Sequence, residues 1–412
     1  MVKIEPFSVE QWMDKYENIA TYNIAETCCD PLSLSGLSEL SLEAGDRPFG
    51  NLFDKILNYG HIRGSPEFRK NVSLLYPSST LGAFPDENVL ITPGGIAANF
   101  LLFYTLVGPG DHVICMYPTY QQLYAVPESF GAEVELWRLE ENSGFAPDVE
   151  ALKRMIRPAK EDGTGGTKMI IINNPNNPTG VTLSTETLHQ IVELAASAGN
   201  IPIISDEVYR PMFHSADTST HPPSIVDIYD HGISTGSMSK ALSLSGLRVG
   251  WIAARQHSVI EACATARDYN TISVSQIDDG IATYALSPTV VKKILKRNLD
   301  LCNTNLRILD DFITREVAEV SGGRWKASYT KPTGGTAAFV KLMSKDGRPV
   351  DDKRFCELLI AKKGVMFLPG GVCFGHGKEF EGYFRIGYVC ETEILKSGLE
   401  RLGEFLKEEQ VL

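Results

Sequence analysis

The chain contains no apolar run approaching the roughly 18 residues that a membrane-spanning helix needs. Its opening stretch, Met-Val-Lys-Ile-Glu-Pro-Phe-Ser, has neither the apolar core of a signal peptide nor the arginine-rich pattern of a transit peptide. Cysteine is scarce and scattered: eight residues, no Cys-x-x-Cys spacing, and only Cys28 and Cys29 adjacent. That argues against a disulfide framework and predicts free thiols in a reducing compartment, the cytosol. The eight histidines lack metal-ligand spacing, so no metal site is expected. Positive charge is also short. Lys and Arg number 39 against 51 Asp and Glu, a net charge of −12, so the surface should repel nucleic acid and anionic membranes. No internal repeat and no long biased linker marks off independent modules.

What is present is a large core and an alternating pattern. At 412 residues with 43% hydrophobic content, the chain should form two domains or one large domain with a lobe. Val89–Ile91, His112–Cys115, Met169–Ile172 and Ile201–Ile204 are short, β-branched apolar runs of the kind that form strands buried on both faces. Helical patterns lie between them, as in Ile96–Leu106 and Ser184–Ala196. The fold class is therefore α/β, with a large domain built on a mostly parallel sheet flanked by helices. After Pro288 the apolar positions Val291, Ile294, Leu295, Leu299, Cys302, Leu306, Leu309 and Ile313 predict one long amphipathic helix. Strands near Ala337–Leu342 and Gly382–Tyr388 then suggest a smaller α+β domain. The expected division is an N-terminal segment over residues 1–50 that packs on the small domain, a large domain over 51–290, and an interdomain helix with the small domain over 291–412.

Sheets of this kind carry their chemistry in loops beyond the carboxyl ends of the strands, and four stretches fall there. In Thr92-Pro-Gly94-Gly95-Ile96-Ala97 a glycine pair opens a helix, which suits an anion as well as it suits a plain tight turn. The run Asn173-Asn-Pro-Asn-Asn177-Pro-Thr-Gly180 makes a rigid polar loop able to aim an amide. Asp206, at the end of a buried strand, needs a cationic partner such as a ring N–H⁺, unless it caps a following helix. Tyr209 stands three residues on. Finally Ser237-Met-Ser-Lys240, with Arg248 eight positions later, supplies a hydroxyl, an amine and a bidentate cation. Partial desolvation would let the Lys240 ammonium lose its proton and form a Schiff base with an aldehyde. A phosphate cradle, a carboxylate for a ring nitrogen and a Schiff-base lysine together match pyridoxal 5'-phosphate.

With those motifs in that order, the chain resembles the fold-type-I pyridoxal-phosphate enzymes of the aspartate aminotransferase superfamily, the class I and II aminotransferases. The likeness runs from about Tyr59 to Arg385. It implies a seven-stranded sheet and Lys240 as the cofactor-bound lysine that also shuttles the Cα proton. It implies Asp206 on the pyridine nitrogen, Asn177 and Tyr209 on the ring hydroxyl, and Tyr120 stacked on the ring. Gly94, Gly95, Ile96, Ser237 and Arg248 would hold the phosphate. Tyr59 would reach the phosphate of a neighbouring subunit, making a homodimer with shared active sites, and Arg385 would grip the substrate α-carboxylate. The implied activity moves an amino group between an L-amino acid and a 2-oxo acid.

The N-terminal region departs from the family pattern. Asn23-Ile-Ala-Glu26-Thr-Cys28-Cys29-Asp30 replaces a Gly-x-Pro-Asp-like segment, which would bring Glu26 towards the substrate and favour a cationic side chain such as arginine or ornithine. The alternative is a solvated or capping acid. The lead segment Glu5–Tyr16 also resembles that of capreomycidine-synthase-like members, so a lyase, cyclase or oxidase acting on a basic amino acid stands as the second reading. No second arginine is evident for a distal carboxylate. A transcriptional regulator would need a DNA-binding module, for which the roughly 50 residues before the core leave no room. Gly163-Thr-Gly-Gly-Thr-Lys168 lacks P-loop spacing and is expected to be a flexible loop.

Overall fold

In the computed structural model, residues 3–40, 49, 52, 54–77, 81–159 and 165–408 are described. Seven strands form the main sheet: β1 (Val89–Thr92), β2 (His112–Tyr117), β3 (Glu133–Arg138), β4 (Thr167–Asn173), β5 (Ile203–Asp206), β6 (Gly232–Ser237) and β7 (Gly250–Ala254). Their order is β1-β7-β6-β5-β4-β2-β3. Every pairing from β6 to β3 is parallel, while β7 runs antiparallel to both β1 and β6. Two reversals restore direction, so β1 points the same way as β6, and the carboxyl ends of β1, β2, β4, β5 and β6 share one edge. All residues of β1, β2, β5, β6 and β7 are buried, as expected of strands covered on both faces.

The helices follow the expected pattern. Gly95–Leu106 forms directly after β1 and turns Ala98, Leu101, Leu102 and Phe103 into the core. Thr185–Ser197 starts at Ser184, whose hydroxyl accepts from Thr187 N–H. The long helix runs Pro288–Asp311 with proline in its first turn, then continues through a π-helical turn, Phe312–Glu316, to Val317–Val320. Periodicity alone did not show that wider turn. Of the Gly163–Lys168 run, Gly163 and Thr164 lie outside the described residues, and Thr167 and Lys168 open β4.

Beyond the long helix come β8 (Trp325–Tyr329), β9 (Ala337–Ser344), β10 (Leu368–Pro369) and β11 (Tyr383–Gly387), an antiparallel sheet ordered β10-β11-β9-β8. Described residues of the N-terminal segment touch this lobe. Its helix α1 (Ser8–Tyr16) buries Val9, Trp12, Met13 and Tyr16 at i, i+3, i+4, i+7 spacing. Trp12 Nε1 donates to Phe367 O at 3.0 Å, and Tyr22–Asn23 pairs in parallel with Val365–Met366. The boundary expected at residue 50 falls outside the described residues.

Candidate active site

A cavity of about 520 Å³ opens at the carboxyl edge of the sheet. Strand ends form its floor, α1 and the stretch from Glu26 to Cys28 form its outer wall, and Arg385 enters from β11.

At one end stands an anion cradle. Gly94 has φ 89° and ψ 165°, a region open essentially to glycine alone that costs an L side chain about 1–3 kcal/mol, and Gly95 begins the helix. A Cβ on Gly94 would stand 3.0 Å from Arg248 Nη2, and one on Gly95 3.0 Å from Val208 Cγ1. Arg248 itself has φ 51° and points Nη1 at Ser239 Oγ (3.4 Å) and Ser245 O (3.0 Å). Ser237 Oγ accepts from Ser239 N–H at 3.0 Å. Free helix N–H groups, two hydroxyls and a guanidinium converge there, the donor set of a phosphate site.

At the centre is Asp206, 3% exposed. The sheet register places it beside Asn173 and Thr235. Its carboxylate accepts from Asn99 Nδ2 (3.0 Å) and Val208 N–H (3.2 Å), and Thr235 Oγ1 donates to Asn99 Oδ1 at 2.8 Å. Irregular turns follow it, so it caps no helix. Among the described residues it forms no ion pair, and burial pushes its carboxyl up to about 6. That is a site lacking a cation, which a protonated ring nitrogen fits.

Tyr209 is buried, its hydroxyl donating to Thr27 Oγ1 at 3.2 Å, and burial raises its pKa. Asn177, also buried, is fixed by its N–H donating to Asn173 Oδ1 at 2.7 Å, and its Oδ1 accepts from Arg385 Nη1 at 3.3 Å. Arg385 is 3% exposed and gives Nη2 to Ala25 O at 2.8 Å, and among the described residues its buried Nε has no hydrogen-bond partner. A buried guanidinium that lines the cavity fits a carboxylate ligand. Tyr120 packs against Phe7, ring centroids 4.7 Å apart, and donates to Glu10 Oε1 at 2.9 Å.

Lys240 Nζ lies 3.3 Å from Glu26 Oε1 and 3.3 Å from Cys28 Sγ. Burial lowers the lysine's pKa, but the Glu26 carboxylate and the Cys28 thiol outweigh it and raise the value well above the usual range. The expectation that desolvation frees this proton is thus corrected: in this state Glu26 holds Lys240 protonated. Burial likewise pushes the Glu26 carboxyl up, yet Lys240, the Cys28 N–H and Arg385 carry it below the usual range. Glu26 accepts from Thr27 N–H (2.6 Å) and Cys28 N–H (2.8 Å), so it caps its own loop and faces the cavity at once.

The structure therefore gathers Gly95, Ile96, Tyr120, Asn177, Asp206, Tyr209, Ser237, Lys240, Arg248, Arg385 and Glu26 around one cavity; Gly94 does not line it but lies against Arg248, which does. Tyr59 does not line it; it sits 76% exposed on a separate surface. Sequence reasoning missed Asn99, although it is the one amide in an apolar helix and lies one turn after Gly95. It also missed Thr27, Ser239, and the wall residues Val9, Glu10, Met13 and Glu17. The core stripe of α1 held a signal for these, since Glu10 and Glu17, seven apart, share a face beside it.

Comparison with known proteins agrees with this geometry. The profile of the family described as aminotransferase class I and II matches residues 41–402. A capreomycidine synthase of Streptomyces vinaceus is 30% identical, over 78% of this chain and 75% of its own. An aspartate aminotransferase of Sulfolobus acidocaldarius is 27% identical, over 85% and 82%. Among solved structures, a PLP-dependent aminotransferase from Streptococcus suis superposes over all of both chains, with a TM-score of 0.86 and 40% identity.

Proposed function

Since the chain belongs to the class I and II aminotransferases and is a pyridoxal-phosphate-dependent transferase, we propose that it moves an amino group between an L-amino acid and a 2-oxo acid with the residues gathered here. When bound, pyridoxal phosphate supplies a carbonyl that takes up an amine and a protonated ring that accepts the electron pair left at Cα. Gly94, Gly95, Ile96, Ser237 and Arg248 would hold its phosphate. Asp206, positioned by Asn99, would pair with its ring nitrogen; Asn177 and Tyr209 would serve its ring hydroxyl; the Tyr120 ring would cover it. Lys240 would hold its carbonyl group and, with its own proton passed on, Nζ would take the proton from substrate Cα and return it. Arg385 orients the substrate through its α-carboxylate, and α1 excludes water from the outer side.

The observation that carries this reading is the buried Asp206 carboxylate without a cationic partner, in one cavity with Lys240 and Arg385. We further read the protein as a homodimer. Ile56, Leu57, Tyr59, Tyr104 and Tyr269 are 58–91% exposed, too much apolar surface to leave in water, and Tyr59 would reach a neighbouring cofactor phosphate. The domain division at about residues 50 and 290 and a cytoplasmic setting belong to the same reading; all eight cysteines are free. No helix among the described residues is long and apolar enough to cross a membrane.

Elimination, cyclisation or oxidation is the second reading, favoured by one observation: Glu26 puts an extra carboxylate beside Lys240. An absorbance and product assay with a panel of amino acids, with and without a 2-oxo acid, separates the two. A transaminase stops after one half-reaction per site without the 2-oxo acid, and continued turnover would overturn that assignment.

A further inference from the structure

The cavity's charged groups divide unevenly once the proposed roles are filled. Seven ionisable carboxylates and cations line it: Glu10, Glu17, Glu26, Asp206, Lys240, Arg248 and Arg385. Asp206 and Arg248 serve the ring and the phosphate, Lys240 the cofactor carbonyl, and Arg385 the α-carboxylate. What remains for the substrate's side chain is three carboxylates and no cation. Among the described residues Glu10 and Glu17 form no ion pair, and the one cationic partner of Glu26 is Lys240.

The same cavity also has apolar lining. Val9 and Met13 project from α1 into it and are buried. Apolar surface together with carboxylates suits a methylene stem ending in a cation, which buries its stem and presents its charge. A second carboxylate on the substrate would instead meet three like charges, which disfavours binding by repulsion and desolvation. The Arg385 guanidinium in the same cavity would take the α-carboxylate of such a ligand.

We propose that the substrate is an L-amino acid with a cationic side chain, of the guanidino or amino kind, with Glu26 as the main specificity residue, supported by Glu10 of α1 and by Glu17 just past its end. This rests on the aminotransferase-family reading of the same site and extends it to the substrate class. Aspartate, named in several relatives, is the class the wall excludes.

The test uses the cofactor-loaded enzyme and two readouts. Calorimetric binding of 5-guanidinopentanoate, which has no α-amino group to react, is compared with hexanoate and glutarate. The guanidino acid should bind at least about tenfold more tightly than either, as a charge-assisted contact allows. Glu26→Gln, which keeps an oxygen for the Thr27 and Cys28 N–H groups, should shrink that preference to about twofold; the Glu10→Gln/Glu17→Gln pair should shrink it partway, and covers the case that Glu26→Gln does not fold. Equal binding of hexanoate, or tighter binding of glutarate, overturns the proposal. Absorbance titration with L-arginine, L-ornithine, L-norleucine and L-glutamate separates the two levels. If none of a full amino-acid panel changes the cofactor spectrum, the underlying reading falls. If neutral or acidic amino acids react faster than basic ones, only the substrate class falls.

Discussion

The floor of the cavity is made by the strand ends of one buried sheet, whereas its outer wall is made by α1 and residues 23–30. On the floor, position follows from register: Asn173, Asp206 and Thr235 are neighbours because β4, β5 and β6 pair in step. On the wall, position follows from individual contacts, such as Ser8 N–H to Gln121 Oε1 at 2.8 Å and Trp12 Nε1 to Phe367 O. A floor set by a hydrogen-bonded ladder resists change at every residue. A wall set by side-chain contacts can vary its charge without disturbing the sheet. One region fixes the chemistry, and the other selects what undergoes it.

Changes to the floor should therefore alter all substrates alike. The largest effect is expected of Lys240→Ala, which should cost more than about 10³-fold in turnover with every amino acid while the folded protein still retains cofactor. Steady-state rates and circular dichroism check this, and normal turnover would refute the role of the lysine. Next comes Asp206→Asn. Its folded pKa of about 6 lies above the ordinary 3.8, so between those values the folded apoprotein keeps a proton that the unfolded chain has lost. Apoprotein stability therefore falls across that window and stays lower above it, by about 3 kcal/mol. A ring cation on Asp206 removes the penalty. The rise in melting temperature on adding cofactor should be larger at pH 8 than at pH 5, and Asp206→Asn should abolish that difference; equal rises in the parent protein would count against the pairing. The smallest effect is expected of Gly94→Ala: about 1–3 kcal/mol from its φ of 89° and ψ of 165°, with weaker cofactor retention from the approach to Arg248. Melting curves and cofactor titration measure it, and the arginine-to-norleucine preference should stay as in the parent. A changed preference would break the separation of floor from wall.

The same contrast explains what the sequence revealed. The buried strands were legible because both-face burial leaves unbroken apolar runs, and the floor residues because each sits directly after such a run. Asn99 was less visible: its role depends on the helix turning it towards Asp206, which spacing from Gly95 allows but does not demand. Glu10, Met13 and Glu17 carry no motif, and only the docking of α1 on Phe367 brings them to the cavity. The sign of the Lys240 shift depends on Glu26, 214 positions away. A local reading of the lysine's small, polar neighbours points to desolvation and cannot supply that distant carboxylate.

The long helix Pro288–Asp311 ties floor and wall together. Asn298 Nδ2 donates to Ala241 O at 2.8 Å, next to Lys240, while Arg297 forms an ion pair with Asp30 and donates to its carbonyl at 2.9 Å. Cys29 N–H donates to Lys240 O at 3.2 Å, and Leu32 N–H to Ser243 O at 3.0 Å. The lysine turn and the loop bearing Glu26 are thus clamped as one rigid part, seated on a common shaft. Such a part cannot widen or narrow its opening by sliding one jaw past the other. A new specificity on this scaffold has to come from recutting the jaw faces, side chain by side chain, with the clamp left as it is.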